Sequence, residues 1–104
     1  MDCRFVYMTC STAEEARLIG RALVQEHIAA CVNILGEIES IYEWQGELCE
    51  ECEVAMIAKT TATRMPALIV RVKELHSYDC PCIIGLPIGE GHQPYLDWLS
   101  ESCS

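Results

Sequence analysis

One candidate for metal chemistry lies at the end of a predicted helix. His76 opens a short loop that also contains Tyr78 and Asp79. A neutral imidazole is a good ligand for copper, zinc or nickel, and a nearby carboxylate can orient the ring or bind the ion itself. The alternative is that His76 only interacts with the dipole at the C-terminal end of its helix. The loop is therefore either a candidate metal site or a helix-end contact.

A second candidate for metal chemistry, Cys10, precedes a predicted helix, whereas His76 follows one. It ends a predicted strand, just before a helix whose start is marked by the capping box of Thr12 and Glu15. A thiol at a helix N-terminus is more easily ionised, and thiolate is a soft ligand that suits Cu(I) or Zn. The alternative is a half-buried cysteine that merely ends a strand.

The chain is rich in cysteine, and an even count could indicate a disulfide scaffold. Periodic apolar segments argue against this, because disulfide-stapled mini-proteins are rich in loops. The first residues, Met1 to Arg4, place an acid where a secretion signal would carry basic residues. We therefore expect a cytoplasmic protein with free thiols. The eight cysteines are Cys3, Cys10, Cys31, Cys49, Cys52, Cys80, Cys82 and Cys103.

Four of these cysteines form two close pairs. Cys49 and Cys52 have C-x-x-C spacing, and Cys80 and Cys82 flank a proline. Together they could hold a structural zinc ion, although the C-x-C half is atypical. Surrounding glutamates would raise the thiol pKa values, and a thioredoxin-type motif should open a helix rather than lie in a hairpin. Zinc binding or thiol redox work by these pairs is kept as an alternative.

Composition limits the classes of partner. The chain has 104 residues, with 7 Lys and Arg against 16 Asp and Glu, and a formal net charge of -9. That length fits a single domain over residues 1–104. The negative charge disfavours nucleic acid and anionic membranes, and no apolar run is long enough to span a bilayer. We expect neither nucleic acid nor membrane as a partner, and weak attraction for cations.

The hydrophobic pattern predicts alternating strands and helices. Their order is that of an α+β, ferredoxin-like βαββαβ fold followed by a short C-terminal helix. A helix starts at Thr12 and ends near His27, a second has Pro66 in its first turn, and Pro94 opens the last. The predicted strands are Arg4–Cys10, Ala30–Leu35 with an extension to Trp44 past a kink near Gly36, Val54–Thr60, and Cys82–Ile88.

The second and third strands predict a hairpin that turns at Gln45 and Gly46. This hairpin is longer than a domain of this size can cover. Unpaired strand edges are an aggregation hazard, so they should pair with something, and another copy of the chain is the simplest partner. We expect Trp44 at the contact between copies. The acidic residues of the hairpin are expected to form a solvated face.

Six short segments resemble the CutA divalent-cation tolerance family. They occur in the family's order and at similar spacing, so the set is far more specific than any one of them. The segments are Ala29–Ile34, Ser40–Gly46, Ile57–Thr60, His76–Asp79, Leu86–Ile88 and Tyr95–Trp98. The resemblance covers roughly residues 4 to 99.

The resemblance implies a ferredoxin-like subunit in a tight homotrimer joined by inter-subunit sheets, with a role in tolerance of copper and other divalent metals. It implies that Cys10 and His76 are metal ligands in a cleft between subunits, supported by Asp79. The chain departs from the family pattern at Ser77, where proline is usual, and at Asp79, where glutamate is usual. Leu75 stands where some relatives have a second histidine, which weakens a copper site built by analogy.

No catalytic triad, phosphate-binding glycine loop or nucleotide fingerprint is visible in the sequence, and we do not predict an enzyme. Three functions remain open. The first is a trimeric protein that binds copper or another divalent metal ion in response to metal stress. The second is a metal-independent trimeric signalling or scaffold protein. The third is a thiol redox protein.

Overall fold

The computed structural model describes residues 2–104 and has the predicted order of elements. Four strands and three helices follow one another, with a 3-10 turn at Ala62–Arg64. This confirms the α+β fold class. The elements are β1 (Cys3–Cys10), α1 (Ala13–Gln25), β2 (Cys31–Trp44), β3 (Glu47–Thr61), α2 (Met65–Leu75), β4 (Ile83–Pro87) and α3 (Gln93–Ser102).

The four strands form one antiparallel sheet in the order β2-β3-β1-β4. The helices α1 and α2 cover one face of it. Ile19 from α1 and Leu68 from α2 are fully buried against Val6, Met8 and Met56 of the sheet. Removal of this apolar surface from water is the main source of stability. The core packs both helices against β1, and the last residue of this strand, Cys10, lies near the start of α1 and the end of α2.

The start of α1 follows the predicted capping box. The backbone N–H of Glu15 donates to the Thr12 hydroxyl at 3.1 Å. In return the Glu15 carboxylate accepts from the backbone N–H of Ser11, also at 3.1 Å. The helix ends at Gln25, and His27 has a φ of 59° in the turn that follows. The predicted end near His27 is therefore two residues late.

The β2–β3 hairpin extends well beyond the rest of the sheet. Its pairs run from Cys31↔Lys59 to Trp44↔Glu47, whereas β1 pairs with β3 only as far as Val54. Gln45 and Gly46 form the predicted turn, both with positive φ. The predicted third strand, Val54–Thr60, was too short at its start. The acidic residues before it are strand because they pair with β2, and exposed strand does not need apolar residues.

A bulge in β2 lies at the predicted kink. Ile34 pairs with Met56 and Gly36 with Ala55, so Leu35 is an extra residue without a partner in the ladder. Gly36 has a φ of 115°, a conformation that glycine adopts without strain. Beyond the bulge, Tyr42 pairs with Cys49 and Trp44 with Glu47. Since paired residues share a face, both aromatic side chains lie on the face that carries Glu51 and Glu53.

Candidate metal-binding site

Three potential metal ligands meet where β1 ends and the two long helices begin and end. The ligand atoms of Cys10, Glu15 and His76 all lie within 4.8 Å of one another. Cys10 is the last residue of β1, Glu15 lies in the first turn of α1, and His76 follows the last residue of α2. The fold thus brings together Cys10 and His76, which the sequence predicted as ligands.

The imidazole of His76 is held by two hydrogen bonds. Its Nε2 lies 2.8 Å from the backbone carbonyl oxygen of Thr9. A carbonyl oxygen only accepts, so Nε2 carries the proton and donates. Nδ1 accepts from the backbone N–H of Tyr78 at 3.1 Å, and lies 3.7 Å from the carboxylate of Glu15. These contacts fix the ring with its Nδ1 lone pair towards Glu15 and Tyr78.

Cys10 is a fully buried thiol. It donates a hydrogen bond to Sδ of Met56 at 3.4 Å. Burial, and then the negative charges of Glu15 and Glu53, raise its pKa to about 12. The expectation of an easily ionised thiol was therefore wrong. Loss of hydration outweighs the helix N-terminus, because the charged form is the one that burial disfavours.

Glu15 supplies the charge of the cluster. Its carboxylate accepts from the backbone N–H of Ser77 at 3.0 Å and from that of Ser11 at 3.1 Å. Burial acts to raise its pKa, but hydrogen bonds from Ser77 and Ser11 and the nearby His76 ring together hold it below the ordinary value. Sequence reasoning gave Glu15 only a capping role. Its position in the turn directly after Cys10 was the signal that it belongs to the site.

The chemistry of this donor set fits a transition metal ion. Thiolate, imidazole and carboxylate are the side chains that bind zinc and copper in proteins. To use them, an ion would have to take the place of the Cys10 proton and of the Tyr78 N–H at Nδ1 of His76. The cluster is therefore a compact donor set whose atoms are already engaged with the protein.

Asp79, the third predicted ligand, lies outside this cluster. It lines a neighbouring cleft of about 500 Å³. Thr9, Tyr42, Trp44 and Tyr78 also line it. Thr9 and Tyr78 each belong to both places, since their backbone groups hold His76 while their residues line the cleft. Asp79 is thus a neighbour of this cluster of potential ligands through the loop that carries His76.

The four additional cysteines of the two close pairs, Cys49, Cys52, Cys80 and Cys82, are free thiols, as predicted. Cys80 and Cys82 line the cleft, whereas Cys49 and Cys52 lie on β3. Burial and the charge of Glu53 raise the pKa of Cys82, and a hydrogen bond with Thr9 offsets part of this rise. Within residues 2–104, Cys10, Glu15 and His76 are the one group of three or more potential ligands that converge. The four paired cysteines therefore do not assemble a zinc site.

Residues 4–102 match the family described as CutA1 divalent ion tolerance protein. The chain belongs to the CutA1 family. The divalent-cation tolerance protein CutA of Thermus thermophilus is 50% identical over 97 residues, which are 93% of this chain and 94% of that protein. The human CutA protein is 41% identical over 95 residues, or 91% of this chain. Those residues are 53% of the human protein, so the chain spans about half of that CutA1 relative.

Solved CutA1 structures have the same fold. The Thermus thermophilus protein superposes with a TM-score of 0.96 at 48% identity, and the match covers 100% of both chains. A protein from Archaeoglobus fulgidus, named a periplasmic divalent cation tolerance protein, gives a TM-score of 0.95 at 38% identity, over 98% of this chain and 99% of that one. Within residues 2–104, no helix has the length and apolar character needed to cross a membrane.

Proposed function

We propose that this member of the CutA1 family is a cytoplasmic, non-enzymatic homotrimer that binds copper or another divalent metal ion during metal stress. Cys10 and His76 are the proposed ligands. Glu15 joins them as a third ligand, and Asp79 supports the site from the adjacent loop. The proposal includes a single domain over residues 1–104.

The convergence of Cys10, Glu15 and His76 is the observation that carries the metal proposal. Cys10 and His76 lie 66 positions apart in the chain, and their ligand atoms are within 4.8 Å of each other and of Glu15. The Glu15 carboxylate gives the cluster a negative charge that favours a cation. The family's name for tolerance of divalent ions agrees with this chemistry.

The exposed hairpin supports the proposal of a trimer. β2 and β4 are the two edge strands of the sheet, and the hairpin tip is paired only with itself. Large apolar side chains remain exposed there and on β4, and their coverage by sister copies would bury them and satisfy the strand edges. These side chains are Ile41, Trp44, Leu48, Ile84 and Leu86.

Calorimetric titration with Zn²⁺ and Cu²⁺ tests the metal site. We expect binding of about micromolar affinity or tighter for wild type, and a loss of about tenfold or more in Cys10→Ser and in His76→Gln. Cys52→Ser is a matched control, because it removes an exposed thiol outside the cluster. Equal affinity in a Cys10→Ser, His76→Gln double variant would contradict the proposed ligands.

Sedimentation at dilute concentration tests the assembly separately. We expect a single species with three times the chain mass, and Trp44→Glu should shift it towards smaller species because it places a charge at the proposed contact. Glu90→Gln, in the exposed segment before α3, is the control. A folded monomer at neutral pH would contradict the trimer.

A metal-independent trimeric signalling or scaffold protein is the second candidate. It is favoured by the hydrogen bonds that already occupy His76, since both ring nitrogens have protein partners. Trimeric protein that binds neither metal in calorimetry would support this candidate over the first. The thiol redox alternative is less favoured, because Cys49 and Cys52 lie in strand β3 and do not open a helix as a thioredoxin-type motif would. Eight thiols of ordinary reactivity per chain would exclude it.

A further inference from the structure

The cleft beside the cluster of Cys10, Glu15 and His76 combines three features that point to one class of ligand. Its volume of about 500 Å³ is that of a small-molecule site. Aromatic rings of Tyr42, Trp44 and Tyr78 line it. Carboxylates of Glu51, Glu53 and Asp79 line it as well, and no Lys, Arg or His within residues 2–104 does.

Glu53 is the strongest sign that a positive charge belongs in the cleft. It is only 7% exposed, yet no ion pair within residues 2–104 involves it. Its carboxylate accepts from the Tyr78 hydroxyl at 2.9 Å. Burial of a carboxylate is costly unless it is paired, and one phenol hydroxyl supplies a hydrogen bond but no compensating charge.

The tyrosines hold the carboxylates in place without neutralising them. The Tyr42 hydroxyl donates to Glu51 at 2.8 Å, and this hydrogen bond is the main cause that raises the pKa of Tyr42 to about 12. The Tyr78 hydroxyl donates to Glu53 in the same way. Each phenol therefore donates a hydrogen bond to a carboxylate, and neither supplies a positive charge.

We propose that this cleft binds a small organic cation of the alkylammonium class. The ammonium group would lie near Glu53 and Glu51, with its alkyl groups against Tyr42 and Tyr78. Aromatic faces attract such cations through their quadrupole, and ring surfaces suit alkyl groups better than they suit a hydrated metal ion. Metal ions require several converging ligand atoms, and the cleft carboxylates and thiols do not form such a group within residues 2–104.

Titration with choline and its neutral isostere 3,3-dimethyl-1-butanol tests the charge requirement. The assembled, full-length protein is used with a chelator present, and cleft resonances are followed by NMR. We expect saturable binding of choline and a binding constant at least about tenfold weaker for the isostere, because only the charge differs. Equal binding of the two compounds, or no saturation by choline, would overturn the proposal.

Variants locate the site. Glu53→Gln keeps the shape of the side chain and should weaken choline binding about tenfold or more, while Glu90→Gln, which removes an exposed charge elsewhere, should leave it unchanged. If Glu53→Gln does not fold, Tyr42→Leu serves instead, because Tyr42 is an exposed residue of the cleft and is not a proposed contact between copies. Unchanged choline affinity in the folded cleft variant would overturn the proposal. Cleft resonances that do not respond to choline would do the same. Neither result depends on whether Cys10 and His76 bind metal.

Discussion

The backbone N–H of Tyr78 donates a 3.1 Å hydrogen bond to Nδ1 of His76. The hydroxyl of the same tyrosine donates to Glu53 in the cleft, at 2.9 Å. One residue thus contacts a metal-ligand candidate through its backbone and the cleft through its side chain. A metal ion on Nδ1 would displace the Tyr78 amide, so the two places are mechanically connected.

Zinc binding at Cys10, Glu15 and His76 should therefore change the conformation of the cleft. We expect zinc to shift the NMR signals of Tyr78 and Glu53, and to change the choline affinity by about fivefold or more, with choline changing the zinc affinity by the same factor. Tyr78→Phe keeps the amide but loses the hydroxyl, and should retain zinc affinity while the coupling falls. Shifts confined to Cys10, Glu15 and the His76 ring would contradict the connection.

The proton on Cys10 should make metal affinity depend on pH. Its pKa is raised to about 12, so the thiol is protonated at neutral pH and a metal must displace that proton. Between pH 7 and 8 we expect calorimetric zinc affinity to rise about tenfold. The wild-type protein should release a proton that Cys10→Ser does not. A zinc affinity that is the same at both pH values would count against Cys10 as a ligand.

Glu15 should contribute to acid sensitivity. Its pKa is lowered in the folded protein, so its stabilising contribution is complete above the unfolded-state value and is lost as pH falls through the folded-state value. Glu15→Gln should reduce the free energy of unfolding at pH 7 by about 1–3 kcal/mol, since hydrogen bonds to a charged acceptor are lost. The same variant should also show a smaller difference between the free energies of unfolding at pH 7 and pH 3, both measured by urea unfolding. Glu14→Gln, an exposed neighbour, should do neither.

Gly36 should tolerate substitution poorly. Nothing lies within 4 Å of a Cβ built there, so the cost arises from its φ of 115° and not from crowding. We expect Gly36→Ala to lower the free energy of unfolding by about 1–2 kcal/mol in urea titration. Gly89→Ala is a matched control, because that glycine also has open space around it and does not need a positive φ. Equal losses in the two variants would contradict the backbone explanation.

The sequence was sufficient for the fold because its local signals agree with one another. The Thr12 and Glu15 pair marks a helix start, Gln45 and Gly46 mark a turn, and apolar spacing separates helix from strand. The start of β3 was missed because Glu47 to Glu53 carry no apolar alternation. Only the partner strand makes that segment regular, and pairing at a distance is not visible in local composition.

The candidate site was predictable in part. Cys10 and His76 were singled out by residue type and by their places at element ends, and the fold brings them together. Glu15 was missed as a candidate ligand because its capping role already explained it. The prediction that Cys10 ionises easily was wrong because the burial of its thiol depends on the packing of Met56 and its neighbours. No local sequence pattern reports that packing.

The bulge at Gly36 also means that a deletion could compensate for a destabilising substitution in the hairpin. Leu35 has no paired residue on β3. An alanine at position 36 therefore favours a shift of the strand register by one residue. Such a shift would turn the side chains of Tyr42 and Trp44 away from Glu51 and Glu53. Removal of Leu35 from that variant would take out the surplus residue and leave Ile34 and position 36 facing Met56 and Ala55 in an unbroken ladder. The deletion of Leu35 would then compensate for the substitution at the next position.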